Sequence, residues 1–208
     1  AGAVGVDFNA VTLNNSGNLS LAGFSNSSSA GSGVSLRSST LNALANSSTN
    51  ISGTASGIVS GVSLDTMTLN ASGDSTISVN GSSSQSEGVL IAYSNITLSG
   101  NSVLRAKGES DTEKGLRVLT SCITLQNNAV MGLQGTSNSN TGLTMQELTL
   151  LTYNNTNFSA TGLARDPGNN SVGVTLSHQT SIDSSNGGNI SISGVGDQFG
   201  VVIANSNL

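Results

Sequence analysis

The chain has 208 residues, with 6 Lys or Arg, 11 Asp or Glu and a formal charge of −5. Charged residues make up 8% and aromatics 3%, against roughly 25% charged in an average domain. The few bases form no long stripe, which argues against nucleic acid as a partner. No apolar run approaches the roughly 18 residues of a membrane span. One Cys (Cys122) and one His (His178) supply neither a disulfide framework nor a Cys/His metal site.

A Gly followed by alternating apolar residues recurs along the whole chain. The openings are Gly5-Val6-Asp7-Phe8, Gly33-Val34-Ser35-Leu36, Gly61-Val62-Ser63-Leu64 and Gly88-Val89-Leu90-Ile91. They continue as Gly115-Leu116-Arg117-Val118, Gly142-Leu143-Thr144-Met145, Gly173-Val174-Thr175-Leu176 and Gly200-Val201-Val202-Ile203. Their spacings are 28, 28, 27, 27, 27, 31 and 27. A fixed period of this size indicates a solenoid, whose copies bury their apolar faces by stacking on neighbours.

Two more strand signals follow each opening. One is apolar-Thr-apolar: Val11-Thr12-Leu13, Met67-Thr68-Leu69, Ile96-Thr97-Leu98, Ile123-Thr124-Leu125 and Leu148-Thr149-Leu150. Ser39-Thr40-Leu41 and Thr180-Ser181-Ile182 are weaker versions. The other is an alternating pair after a polar turn, such as Leu19/Leu21, Ile77/Val79, Leu104/Ala106 and Met131/Leu133. Period-2 alternation means strands with one buried face. Three strands and three turns per copy predict an all-β fold: a single-stranded, parallel β-helix of about eight triangular coils. At about 4.8 Å per coil it is on the order of 37 Å long. Val6, Phe8, Val11, Leu13, Leu19 and Leu21 should face inward in the first coil, and their equivalents in later ones. Residues 1–208 read as one such segment. Ala1-Gly2-Ala3 opens no targeting run and Leu208 stops inside a copy, so a piece of a longer solenoid is expected.

Asn14, Asn42 and Asn70 are expected at sharp turns, where Asn tolerates a left-handed backbone and can stack in a column. The Thr residues of the second strand should form one outward line. A single line does not make the paired rows of an ice-binding face. The 31-residue interval holds Leu163 to Asn170 with the one Pro, and predicts a protruding loop.

The charges are not spread evenly. Residues 105–117 hold seven of 17 charges and four of six bases: Arg105, Lys107, Glu109, Asp111, Glu113, Lys114 and Arg117. This segment is expected at the turn between the third strand of the fourth copy and the first strand of the fifth. Together with Arg165 and Asp166 it is the candidate binding site, facing either a charged glycan or a protein loop. No two acids fall at matching phase in adjacent copies, so the paired carboxylates of a polysaccharide-cleaving enzyme are not expected. Twelve Asn-x-Ser/Thr sequons permit glycosylation, at the frequency this composition produces by chance.

The low charge, Gly-Val-x-Leu openings, Thr-Leu-Asn second strands and Asn/Ser-rich turns resemble the passenger regions of filamentous-haemagglutinin-like, two-partner-secreted bacterial exoproteins. The resemblance implies a right-handed β-helix, export through an outer-membrane transporter, and a secreted or cell-surface location. It also implies a non-catalytic adhesin, without cofactor or metal, that meets a glycan or protein receptor on host or neighbouring cells. The alternative is a structural stalk whose ligand, or toxin, lies elsewhere in the protein. A polysaccharide-cleaving β-helix is the third reading.

Overall fold

The computed structural model describes residues 5–26, 31–166 and 171–208. The first coil is β1 (Val6–Asn9), β2 (Thr12–Asn15) and β3 (Asn18–Ser25); the second is β4 (Val34–Arg37), β5 (Thr40–Ala43) and β6 (Ser48–Ala55). Then come β7 (Val62–Asp65), β8 (Thr68–Ala71) and β9 (Thr76–Ser83), followed by β10 (Val89–Ala92), β11 (Asn95–Leu98) and β12 (Val103–Ser110). The fifth and sixth coils are β13 (Leu116–Leu119), β14 (Cys122–Gln126), β15 (Val130–Ser137), and β16 (Leu143–Gln146), β17 (Thr149–Tyr153), β18 (Asn157–Ala164). The seventh is β19 (Val172–Ser177), β20 (Ser181–Ser185) and β21 (Asn189–Val195), after which β22 (Phe199–Ile203) opens another turn.

Among the described residues, strands of like position pair in parallel, giving sheets of eight, seven and seven strands. This is the expected parallel β-helix, right-handed, with seven complete coils and the start of the next. The Gly-led openings count starts, and the last start is not followed by a full coil among the described residues.

The register stacks like on like. Val34, Val62, Val89, Leu116, Leu143 and Val174 form one inward column. In the fourth coil Val89, Ile91, Ile96, Leu98, Leu104 and Ala106 are all buried. Six such side chains, at about 1.5–3 kcal/mol each as an upper bound, offset the cost of ordering a Gly-rich chain only when coils stack. The inward residues of the first coil, Val6, Phe8, Leu13, Leu19 and Leu21, are half-buried against this core.

Three local features differ from the sequence reading. The third strand is eight residues long in the first six coils, not a short alternating pair. Its second half has inward Gly followed by inward Ser or Ala because the coil narrows to a sharp edge there. A Cβ on Gly108 would lie 2.0 Å from the Gly115 carbonyl oxygen and 2.9 Å from the Val89 nitrogen, so only Gly lets the two backbones close. The following Ser caps the turn. Ser110 Oγ donates to the Ser86 carbonyl at 2.6 Å and accepts from the Glu113 amide at 2.9 Å.

Second, Asn14, Asn42 and Asn70 lie on outward strand positions and not in turns. They do stack as a ladder: Asn42 Nδ2 donates to Asn14 Oδ1 at 2.7 Å, and Asn70 Nδ2 to Asn42 Oδ1 at 2.9 Å. The left-handed corner between first and second strands is taken by Ala10, Ser38, Thr66, Tyr93, Thr120, Glu147 and His178, with φ from 44° to 55°. Beside it, buried hydroxyls tie coils together, as where Ser94 Oγ accepts from the Met67 amide at 3.0 Å.

Third, the Thr line splits. Thr12, Thr40 and Thr68 share a column with Asn95 and Cys122, while Thr97 and Thr124 continue the Asn14 column. Matching by motif slips the fourth and fifth copies two residues from their true register, while Thr149 and Ser181 return to the Thr12 column. The Pro-containing loop falls partly at 167–170, outside the described residues.

Candidate ligand-binding surface

From the second to the sixth coil, a residue's distance from its opening Gly sets its column. On the outer face of the third sheet, Ser78, Arg105, Gly132 and Ser159 each stand 17 residues after that Gly, in adjacent strands. Asn80, Lys107, Gln134 and Thr161 each stand 19 after it, in the neighbouring column. These two columns line an open depression of about 470 Å³. Its length, from β9 to β18, spans three inter-coil steps, or roughly 14 Å at about 4.8 Å each.

The charged segment is placed differently from its expected turn. Arg105, Lys107 and Glu109 alternate outward along β12, between buried Leu104, Ala106 and Gly108-backed positions. Of the seven third strands, only β12 carries charge. Lys107 Nζ sits 2.7 Å from Glu109 Oε1. Arg105 is exposed and has no hydrogen bond or ion pair among the described residues.

The other candidates separate from this face. Asp111 and Arg165 lie in one turn column with Asn138 between them, and border a small hollow beside Glu109. Asn138 Nδ2 donates to Asp111 Oδ1 at 2.9 Å. Lys114 pairs with Glu113 at 2.8 Å. Arg117 faces out from the first sheet, a different side of the prism. There it lies 3.5 Å from Glu87 Oε1 and donates to Gln146 Oε1 at 3.1 Å. Asp166 ends the described stretch before the Pro loop. The structure therefore joins Arg105, Lys107 and Glu109, sets Asp111 and Arg165 at their edge, and places Arg117 elsewhere.

The neutral partners Asn80, Gly132, Gln134 and Thr161 were missed by reading charge alone. Counting from the opening Gly would have found them.

Three carboxylates elsewhere each meet a neutral or basic partner. Asp7 Oδ2 meets Arg37 at 2.7 Å, Glu147 accepts from Thr120 at 2.9 Å, and Asp74 accepts from Asn101 at 2.8 Å. Among the described residues no group of three or more His, Cys, Asp or Glu could hold a metal ion, and no helix is long and apolar enough to cross a membrane. No protein-family model, curated protein or solved structure matches the chain.

Proposed function

We propose that this chain is a non-catalytic segment of a bacterial surface or secreted adhesive rod, which presents the third-sheet face around Arg105 and Lys107 to a receptor on host or neighbouring cells. One observation carries the reading. Charged residues are only 8% of the chain, yet three charges stand in line on one third strand, beside a depression walled by amides and hydroxyls. Exposed ion pairs contribute only about 0–1 kcal/mol each to stability, so folding gives little reason for this concentration. A uniform solenoid suits presentation: stacking fixes the backbone, and outward columns are free to vary. Export through an outer-membrane transporter and an extracellular location belong to the same reading, through the resemblance to two-partner-secreted exoproteins.

The test is binding of the purified chain to cultured epithelial and bacterial cells, beside Arg105→Ala/Lys107→Ala. Saturable binding that the double variant loses, with an unchanged β-type circular dichroism spectrum, supports the reading. Absence of binding by either protein makes this segment a stalk. Equal binding by both moves the contact to another face.

A further inference from the structure

The strand β15 holds two glycines with different reasons to exist. A Cβ on Gly135 would lie 1.9 Å from the Gly142 carbonyl oxygen, so the fold demands Gly there. A Cβ on Gly132 would meet only Ser159 Oγ at 3.4 Å and Arg105 Cγ at 3.9 Å, which are ordinary contacts. Gly132 is also absent from the positive-φ positions. Its column carries side chains in the adjoining coils, Ser78, Arg105 and Ser159. Neither backbone nor packing requires Gly132. What it does is open the floor of the depression next to the Arg105 guanidinium, which has no partner among the described residues.

We propose that this opening is a subsite for one carboxylate-bearing sugar of an otherwise neutral glycan, resting on the reading of this face as adhesive. Arg105 presents a planar fork of N–H donors that matches a carboxylate in two parallel hydrogen bonds. Lys107 is already neutralised by Glu109, which leaves one net positive group facing the opening. Asn80 and Gln134 bring amides that both donate and accept, and Ser159 a hydroxyl, the groups that suit sugar hydroxyls. A densely sulfated polyanion fits poorly. Glu109 and Asp111 follow Arg105 and Lys107 at alternate positions, so the four charges sum to zero, and the chain as a whole carries −5.

The experiment places the purified chain on an array of sialylated, uronate-containing, neutral and sulfated oligosaccharides, with cell binding measured in parallel. Arg105→Gln, Arg105→Lys and Gly132→Val run beside it. The expected result is binding to carboxylate-bearing glycans and at least ten-fold weaker binding to their desialylated or carboxyl-reduced counterparts. Arg105→Gln and Gly132→Val should each weaken binding at least ten-fold, and Arg105→Lys should recover only part of it. Gly132→Val must keep or raise the thermal midpoint, so that lost binding is not lost fold. Equal binding to neutral counterparts, or preference for sulfated glycans, overturns the carboxylate assignment and leaves the adhesive reading standing. Undiminished binding by Gly132→Val overturns the subsite. Cell binding without any glycan binding overturns the glycan and points to a protein receptor. Failure of both assays refutes the adhesive reading itself.

Discussion

Gly135 and Gly132, three residues apart on β15, should respond to Ala with opposite signs. At Gly135 the new Cβ would start 1.9 Å from the Gly142 carbonyl oxygen, 2.6 Å from its carbon and 2.9 Å from the Leu116 nitrogen. Restoring an ordinary 3.4 Å contact means opening the edge by 3.4 − 1.9 = 1.5 Å. The carbonyl that must move is the acceptor for the Leu116 amide, at 3.1 Å. Overpacking costs about 1–3 kcal/mol, and a buried amide left unpaired costs about 1–3 kcal/mol more. Replacing Gly in a strand returns about 0.5–1 kcal/mol. The net expectation is a loss of about 3 kcal/mol, or about 6–12 °C in midpoint at about 2–4 °C per kcal/mol for a chain of this size.

Gly132→Ala meets no backbone, so only the favourable 0.5–1 kcal/mol or so applies, a rise of about 1–4 °C. Far-ultraviolet circular dichroism during heating, at one scan rate, measures both. Solenoids can melt in segments, so midpoints are compared and not fitted free energies. Equal shifts for the two variants, or a rise with Gly135→Ala, would refute the claim that the Gly column closes the coil's sharp edge.

Other columns give separate tests. Among the described residues, Ser75 and Ser102 Oγ are buried without a hydrogen-bond partner, and Ala129 holds the same corner in the next coil. Ser75→Ala should therefore stabilise by about 1 kcal/mol in urea unfolding; a loss of similar size would mean that the hydroxyl is satisfied by water. Tyr93 is 58% exposed at φ 50°, a conformation Asn tolerates far better. Tyr93→Asn should raise the urea midpoint by about 0.5–1 kcal/mol in stability, and an unchanged or lower midpoint would show that the corner is unstrained. Asn42 makes two ladder bonds and Asn70 one. Asn42→Ala should thus cost about 1 kcal/mol and Asn70→Ala about half that, whereas equal costs would show that ladder bonds do not act singly.

The coil was legible in the sequence wherever the interior is apolar. Val89, Ile91, Ile96, Leu98, Leu104 and Ala106 alternate because each faces the core, and period-2 alternation is what the eye detects. It was illegible where the interior is too narrow for a side chain. Gly108 and Ser110 are inward residues too, but Gly and Ser carry no hydrophobic signal, so by alternation β12 ends at Ala106 and the charges beyond it read as a turn. The Thr column failed for another reason. Ile96-Thr97-Leu98 copies the motif of Met67-Thr68-Leu69, but the register pairs Ile96 with Leu69. Alternation alone cannot tell a strand from the same strand slipped by two, because either keeps the apolar residues inside. Distance from the opening Gly resolves it, since that Gly is fixed by the backbone contact it makes.

The same distance rule explains how such a rod can carry a site. Residues about 27 apart in sequence become neighbours at one strand spacing, about 4.8 Å. A binding surface therefore needs no special loop: it is written one residue per coil, at a constant offset. Arg105, Gly132 and Ser159 share one offset, and Lys107, Gln134 and Thr161 another. Inward offsets are held by packing to apolar residues, or to Gly, Ala or Ser where the coil is narrow, while outward offsets carry little stability and can change freely. On the proposed reading, stability and recognition thus lie in alternating positions of the same strand. In β12 the fold depends on Leu104, Ala106 and Gly108, and the surface character on Arg105, Lys107 and Glu109. Substitutions at the second set should alter what the rod binds without loosening it, and substitutions at the first set should do the reverse.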